Sequence, residues 1–301
     1  MNPVQRGPGG FSGWIVGPKL HEFVGDIWRR YFRERNREIG ALEGRHSSER
    51  RCFVIGNGPS LKGMDLRPLA GEFTIGANSF YKHPDAAAIA LKYLCIFDPH
   101  FMQDQPRAVE WHQTVAQKLP GTAMVLHASA RPIVARHGLY AGREVHYVRS
   151  GFQTHELAHV DFDFRRPRNI GMTTGSAIAI PLAIFLGFRE IVLIGFDCNW
   201  LADTGGSYHF YDTHEYFPEF DSIDKDGRGY GYEAFLRIIQ REFESHRLIR
   251  AKAESLGVRI VNATRGGLLD AYERADYDAL FVARGGIQPA AAPWRLGGES
   301  E

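Results

Sequence analysis

The sequence contains few cysteines, no excess of charge of either sign and no apolar run long enough to cross a bilayer. Its three cysteines, Cys52, Cys95 and Cys198, lie apart in apolar runs and lack the C-x-x-C spacing of zinc or redox sites. With 36 basic and 35 acidic residues the net charge is +1, so no global field favours nucleic acid as a partner. The longest apolar stretch, residues 177–188, is too short to span a membrane, and no signal peptide begins the chain. These absences predict a cytoplasmic protein.

The N-terminal part of the chain is predicted to be an extension of the main domain. After Pro18, apolar residues recur at helical spacing from Leu20 to Phe32, which predicts an amphipathic helix with several arginines on its polar side. These arginines either solvate a packed helix or rest on anionic lipid headgroups, so the inner face of the membrane and a second copy of the chain are both open as partners. Composition divides the chain into this extension (residues 1–49), one folded domain (residues 50–284) and a tail predicted to be disordered (residues 285–301).

From residue 51 onward, short β-rich runs alternate with longer segments, which is typical of a parallel sheet covered by helices. We predict an α/β fold with a doubly wound, mainly parallel, Rossmann-like sheet. Its predicted strands are residues 52–56, 73–77, 93–97, 123–127, 145–149, 191–195 and 258–262. Two strong helices are predicted, at residues 174–186 with a kink at Pro181, and at residues 232–256 with Gly257 as the C-terminal cap.

A turn of small residues, Gly56-Asn57-Gly58-Pro59-Ser60, follows the first predicted strand. In open α/β sheets such a turn lies at the carboxyl end of a strand, where N–H groups and a following helix favour a phosphate. Leu61 stands where the dinucleotide fingerprint needs its third glycine, which disfavours NAD as the ligand. No Gly-Lys-Ser/Thr follows, so the turn is not a P-loop. Asn78, at the end of the second strand, suits a nucleobase edge or a ribose hydroxyl. The alternative is a pair of turns that bind no ligand.

A second glycine-rich element, residues 171–176, directly precedes an apolar predicted helix. Its hydroxyl residues, among them Thr174 and Ser176, are candidate helix caps that can also bind phosphate. Capping alone would account for them. Two such elements in one doubly wound domain, however, favour a nucleotide held from both sides.

At these elements the chain resembles the small bacterial sialyltransferases that use CMP-sialic acid. The similar segments are residues 54–62, 77–81, 174–176, 186–197 and 205–208. The chain is also similar to the broader group described as hydroxymethylpterin diphosphokinase MptE-like. Counterparts of Asp98-Pro99, His209-Phe210 and residues 262–267 occur in that group.

The resemblance implies roles for individual residues. In the sialyltransferases the matching segments bind the CMP moiety. This implies a donor-binding set of Gly56, Asn57, Gly58, Pro59, Ser60, Asn78, Thr174, Gly175 and Ser176, to which the second group adds Asp98. Tyr208 matches a tyrosine that assists the leaving phosphate. The sialyltransferases have a histidine before the long helix as general base, but residues 215–233 contain none here. His209 and His214 are the nearest substitutes, and His209 is the preferred candidate because the second group has a histidine at that position.

The function implied by the resemblance is that of a single-domain, GT-A-like transferase. It would move an acidic sugar, sialic acid or a Kdo-like relative, from a CMP-activated donor to a glycan acceptor, with inversion and without a metal ion or cofactor. One alternative is a pterin diphosphokinase that uses ATP and Mg²⁺, for which Asp98 and Asp197 at strand ends are the best-placed carboxylates. Another is a non-catalytic nucleotide-binding protein of envelope assembly.

Overall fold

A parallel sheet organises the protein in the computed structural model, which describes residues 38–149, 157–166, 174–202, 208–212 and 231–282. Within these ranges the sheet has eight strands in the order β5-β4-β3-β2-β1-β6-β7-β8. The strands are β1 Cys52–Ile55, β2 Phe73–Ala77, β3 Tyr93–Ile96, β4 Ala123–His127, β5 Val145–Val148, β6 Glu190–Ile194, β7 Arg259–Asn262 and β8 Glu273–Arg274. The predicted N-terminal helix and the C-terminal tail lie outside the described residues.

The α/β, Rossmann-like fold and all seven predicted strands are confirmed. Every neighbouring pair is parallel, with registers such as Cys52 opposite both Phe73 and Ile191. Each of the four residues of β1 is buried, because helices and loops cover both faces of the sheet. The eighth strand was not predicted, since its two residues, Glu273 and Arg274, carry no apolar run.

Helices lie on both faces of the sheet, as a doubly wound fold requires. They are α1 Pro106–Lys118, α2 Arg131–Arg136, α3 Ala179–Phe185, α4 Tyr232–Ser255 and α5 Ala279–Val282. The core on one face contains residues of α3 and α4, and the core on the other contains residues of α1, α2 and α5. None of these helices combines the length and the apolar character needed to cross a membrane.

Helix α3 begins later than predicted, at Ala179 instead of residue 174. Residues 174–178 form turns, in which the N–H of Ala177 bonds the carbonyl of Thr174 at 3.2 Å. Pro181 therefore lies in the first helical turn, where a missing N–H costs no intrahelical hydrogen bond, and the predicted kink has no cause there.

Helix α4 matches its prediction to within one residue at its C-terminus. Gly257 follows it with φ +70°, a left-handed conformation that a glycine adopts at low cost. The N–H groups of Gly257 and Val258 bond the carbonyls of Glu254 at 3.0 Å and Ala253 at 2.9 Å, which satisfies the last turn. The predicted glycine cap is thus confirmed.

The end of the predicted extension packs into the domain. Ile39 and Leu42, in the short 3-10 helix Glu38–Leu42, are fully buried in the core shared with α3 and α4. The N–H of Gly44 bonds the carbonyl of Phe185 at 2.9 Å, and that of His46 bonds the carbonyl of Leu186 at 2.8 Å. Residues 38–46 therefore belong structurally to the folded domain.

A buried histidine makes the stability of this fold sensitive to acid. His112 of α1 is fully buried, with Nδ1 2.6 Å from Tyr140 Oη and Nε2 2.8 Å from Phe101 O. Burial lowers the pKa of His112 to about 4, and the hydrogen bond to Phe101 only partly opposes this. In the unfolded chain a histidine has a pKa near 6.5. The contribution of neutral His112 to the free energy of unfolding is therefore complete above pH 6.5 and is lost as the pH falls from there towards 4.

We predict that this histidine lowers the free energy of unfolding by about 2 kcal/mol between pH 7 and pH 5. Urea unfolding of the wild type and of His112→Gln at both pH values measures the effect. The pH-dependent loss should be smaller in the variant by about that amount. Equal losses in the two proteins would show that His112 is not responsible.

Candidate functional site

A cavity lies at the carboxyl ends of the strands, beside the point where the strand order reverses. Strand β1 pairs with β2 on one side and with β6 on the other, so the chain winds outward in both directions from it. Ligands of open α/β sheets bind at such switch points. The cavity has a volume of about 860 Å³, which is within the range of small-molecule sites.

Most of the residues assigned from sequence meet around this cavity. Its walls include Asn57, Gly58, Asn78, Asp98, Thr174, Gly175, Ser176, Tyr208 and His209. Three other residues of the assigned set, Gly56, Pro59 and Ser60, do not line it. Residues 171–173 of the second glycine-rich element and residues 205–207 of a similar segment lie outside the described residues.

The glycine turn is shaped by the neighbouring strand end. The N–H of Gly56 bonds the carbonyl of Ile194 at 2.8 Å, and that of Gly58 bonds the carbonyl of Gly195 at 2.9 Å. A Cβ on Gly56 would lie 2.3 Å from the oxygen of Gly195, so only glycine allows this approach. These N–H groups bind the protein itself and do not face the cavity as free donors.

The carboxylate of Asp197, which follows β6, occupies the place beside this turn where a bound phosphate was predicted. Its carboxylate accepts the N–H of Ser60 at 3.0 Å and the hydroxyl of Ser60 at 2.8 Å. A Cβ on Gly58 would lie 1.8 Å from Asp197 Oδ2, so the second glycine makes room for this carboxylate. Burial raises the pKa of Asp197, and the hydrogen bonds from Ser60 oppose the rise. The start of the 3-10 helix Pro59–Gly63 is therefore capped by the chain's own carboxylate.

Two asparagines tie adjacent strand ends together. Asn57 Nδ2 donates to the carbonyl of Ala77 at 2.9 Å, and Asn78 Oδ1 accepts the N–H of Phe97 at 3.3 Å. The other amide atom of Asn57, its Oδ1, is buried and has no hydrogen-bond partner. Asn78 has φ +43°, a conformation that asparagine tolerates better than most residues. The unpaired oxygen makes Asn57 the clearest candidate for a ligand contact, since buried polar atoms normally have partners.

Gly175 allows the second element to approach Asn78 closely. A Cβ at Gly175 would lie 2.8 Å from Asn78 Nδ2 and 3.5 Å from the N of Asp98. Glycine at this position therefore brings residues 174–176 against the ends of β2 and β3. Residues of both glycine-rich elements line the cavity, and so does Ile178, the N-cap residue of α3.

His209 is held at the cavity by its neighbours. The N–H of Phe210 bonds the carbonyl of Asn57 at 3.1 Å, which fastens residues 208–212 to the glycine turn. The His209 ring stacks on Tyr211, with centroids 5.0 Å apart and planes 22° apart. Burial lowers the pKa of His209 to about 4, although the charge of Asp98 opposes this. The imidazole is therefore neutral at pH 7 and has a nitrogen able to accept a proton.

Asp98 is engaged in a local interaction. Its Oδ1 accepts the N–H of His100 at 3.0 Å and lies 2.8 Å from His100 Nδ1. This arrangement caps the short 3-10 helix Pro99–Met102. One oxygen of Asp98 is thus committed to the protein.

The structure adds a residue that the sequence analysis missed, Glu242 on α4. Its side chain is 1% exposed, lines the cavity and accepts a hydrogen bond from Thr174 Oγ1. The sequence did contain a signal for it. The buried residues Phe235, Ile239, Glu242, His246, Ile249 and Ala253 recur every three or four positions along α4. A glutamate and a histidine within such an apolar stripe indicate a polar site at the helix interface.

The charged groups of the cavity are mainly acidic. Carboxylates of Asp98, Asp197 and Glu242 line it, whereas none of its described lining residues is a lysine or an arginine. Among the described lining residues, the donors that an anionic ligand can meet are neutral N–H and O–H groups and the histidine rings. In the part of the chain that the structure describes, no group of three or more His, Cys, Asp or Glu side chains is arranged to hold a metal ion.

No family model matches this chain, and no curated protein matches it. The resemblance to the sialyltransferases and to the MptE-like group therefore remains a prediction from short segments in a shared order.

Proposed function

We propose that this protein is an inverting glycosyltransferase that moves an acidic sugar from a CMP-activated donor to a hydroxyl of a glycan acceptor, without a metal ion. The observation that carries the proposal is the convergence of Asn57, Asn78, Gly175 and His209 on one cavity at the switch point of the sheet. These residues come from separate segments of the chain. Their convergence supports a common ligand better than a set of unrelated turns would.

The donor is bound through neutral polar groups. Asn57 Oδ1, buried and without a partner, accepts a hydrogen bond from an amino or hydroxyl group of the nucleoside. Asn78 Nδ2, which lies beside Gly175, and Ser176, which follows it in the chain, donate to the phosphate. Neutral donors suffice because CMP in a sugar donor carries a single phosphodiester charge, smaller than that of a diphosphate.

Transfer requires one proton acceptor and one group that assists departure of CMP. The neutral imidazole of His209 takes the proton of the acceptor hydroxyl, and the oxygen forms a bond to the anomeric carbon. The bond from that carbon to the CMP oxygen breaks, and its electron pair leaves on the phosphate. Tyr208 donates a hydrogen bond to the departing phosphate. Attack on the face opposite CMP inverts the anomeric centre.

Ligand-induced thermal stabilisation tests the proposal directly. The panel contains CMP, CDP, UDP, NAD and ATP with Mg²⁺. The ligands tested without Mg²⁺ are measured both in the presence and in the absence of EDTA. At about 100 times its dissociation constant, a ligand stabilises the native state by roughly 2.7 kcal/mol. We expect a selective shift with CMP that EDTA leaves unchanged, followed by transfer from CMP-activated acidic sugars. No CMP shift and no turnover of such donors would refute the proposal, and binding without turnover would favour the non-catalytic alternative.

Asn57→Ala should weaken CMP binding. We predict that the dissociation constant rises about tenfold or more, since loss of a buried hydrogen bond costs about 1–3 kcal/mol. Isothermal titration calorimetry with CMP measures the change. Gln240→Ala on the exposed face of α4 serves as the amide control. Unchanged affinity in a folded Asn57→Ala protein would contradict the assignment of Asn57 Oδ1 to the nucleoside.

One observation favours the diphosphokinase alternative. Three carboxylates line the cavity. Mg²⁺ bound to ATP is usually held by one or two carboxylates together with phosphates and water, so the cavity contains enough carboxylates for such an ion. Asp98 and Asp197 are the candidates from sequence, but both already bind within the protein. A thermal shift that appears only with ATP and Mg²⁺, and disappears in EDTA, would replace the transferase proposal with this one.

A further inference from the structure

The cavity extends from the glycine turn towards the ends of β3 and β4, where the proposed donor site makes no use of it. We call this part the outer lobe. Its side chains lie in or beside two short 3-10 helices, Pro99–Met102 and Ala128–Ala130, which follow these two strands. The residues of the outer lobe are Phe97, His100, Met102, Gln103, His127 and Ser129.

His127 is held in one tautomer by Ser129. Its Nδ1 accepts the backbone N–H of Ser129 at 3.3 Å and lies 2.7 Å from the hydroxyl oxygen of the same residue. A backbone N–H only donates, so Nδ1 is an acceptor and the neutral ring carries its proton on Nε2. Burial lowers the pKa of His127, and the charge of Arg149 lowers it further, so the ring is neutral at pH 7. His127 therefore has an N–H donor at Nε2.

This donor is available to a ligand. In the described part of the chain no residue accepts a hydrogen bond from Nε2 of His127, and the histidine is half-buried at the cavity wall. Gln103 lies at the exposed rim of the same lobe, and its Oε1 accepts Nε2 of Gln105 at 2.7 Å. No described residue bonds the amide nitrogen of Gln103. The outer lobe thus has two neutral N–H donors.

The charges that act on the two histidines of the cavity differ in sign. Asp98 has the largest charge effect on the pKa of His209 and raises it, whereas Arg149, which follows β5, lowers the pKa of His127. Arg149 has its own contacts in the protein, so it contributes a positive potential and is not assigned as a ligand contact. An anionic group is therefore more stable near His127 than near His209.

We infer that the outer lobe binds a carboxylate, to which Nε2 of His127 and Nε2 of Gln103 donate hydrogen bonds. A carboxylate only accepts hydrogen bonds, and its two oxygens match two donors. A sugar hydroxyl gains less from the same donors, because a hydrogen bond to an ionised acceptor is roughly twice as strong as a neutral one. This inference rests on the proposed function, in which the sugar of the donor carries the carboxylate. It makes His127 a specificity-determining residue for an acidic sugar.

Two substitutions of His127 separate a ligand contact from a structural role. In His127→Asn, Oδ1 takes the place of Nδ1 and keeps the bond from the N–H of Ser129, since asparagine is a good cap, but no atom remains at the place of Nε2. In His127→Gln, the amide nitrogen reaches the place of Nε2, while the cap is lost. A ligand contact is lost in the first variant and kept in the second, whereas a purely structural role gives the reverse. His137→Asn, at an exposed histidine that does not line the cavity, is the control.

The probes are the methyl glycoside of sialic acid and the methyl ester of the same glycoside, which differ only in the charge and shape of the carboxyl group. Their dissociation constants are measured by saturation-transfer NMR titration. We expect the wild type, His137→Asn and His127→Gln to bind the acid about tenfold more tightly than the ester, and His127→Asn to lose this preference. CMP, which has no carboxylate, should bind all four proteins within about twofold, as measured by calorimetry.

The outcomes separate this inference from the proposed function. Equal binding of acid and ester by the wild type, no binding of the acid, an unchanged preference in His127→Asn, or an equal loss in both His127 variants would each overturn the carboxylate subsite. A preference for the acid that depends on His127, in a protein that does not bind CMP, would support the subsite and refute the CMP-dependent transferase. Transfer from CMP-activated acidic sugars with the same donor KM in wild type and His127→Asn would refute the subsite alone.

A second variant keeps the test decisive if His127→Asn does not fold. Gln103 is exposed, so Gln103→Glu should fold, and it places a negative charge at the rim of the outer lobe. It should weaken binding of the acid about tenfold and leave binding of the ester unchanged, because only the acid is repelled. Equal effects on acid and ester, or no effect on the acid, would overturn the inference.

Discussion

Replacing Gly58 with alanine should abolish CMP binding and lower the free energy of unfolding by about 3 kcal/mol or more. The added Cβ would lie 1.8 Å from Oδ2 and 2.5 Å from Cγ of Asp197. Asp197 would have to move and lose both hydrogen bonds from Ser60. The new methyl would also lie 2.8 Å from the backbone oxygen of Gly195, which has little freedom to shift. Urea unfolding and calorimetry with CMP measure the two effects.

Gly63→Ala is the matched control for this substitution. It ends the 3-10 helix Pro59–Gly63 that Gly58 precedes, and a Cβ there meets nothing within 4 Å. Its stability should change little. Adding Asp197→Ala to Gly58→Ala removes the closest clash and should recover part of the lost stability. If Gly58→Ala were as stable as Gly63→Ala, the carboxylate would not be packed against the turn as described.

His209→Gln should lower kcat by about 100-fold or more and leave CMP affinity nearly unchanged, because a general base contributes about 10²–10⁴ to the rate. The pKa of His209, about 4, determines in which direction and in which pH range kcat/KM should change. A base works only when deprotonated, so kcat/KM should stay high above pH 5 and fall as the pH drops through about 4. Initial rates of sugar transfer between pH 4 and pH 8 measure both effects.

His137→Gln, at an exposed histidine paired with Asp104, is the control for this experiment. It should transfer sugar at the wild-type rate at every pH. A His209→Gln protein with full activity would remove His209 as the base. An acid limb near pH 6.5 in the wild type would point to a base other than this buried imidazole.

The sheet was predictable from sequence because its strands are short apolar runs separated by turn residues. Burial on both faces of a parallel sheet requires such runs, so the strands at residues 52–55, 73–77 and 190–194 can be predicted without knowledge of the fold. Helix α4 was equally clear, because its apolar positions recur at helical spacing and Gly257 ends it. The order of the strands is a different matter, since which strands pair depends on contacts between distant segments.

In the glycine turn, some features follow from the local sequence and others follow from contacts with distant residues. The sequence by itself determined that residues 56–60 form a tight turn after a buried strand and that Asn78 ends the next strand. Only the tertiary structure decided what the glycines are for: Gly58 makes room for Asp197, which lies 139 positions later in the chain, and Ser60 binds that carboxylate. No local pattern records a contact between residues so far apart.

Glu242 illustrates the same division within one helix. Its place in the buried stripe of α4 could be read from spacing alone, but spacing does not say which surface a stripe meets. The packing of α4 against β7, together with the position of Thr174, decided that this carboxylate reaches Thr174 and the cavity. Periodicity, which depends on neighbours three or four residues away, therefore determined the elements of this protein, whereas long-range packing of strand ends and helix faces determined its candidate site.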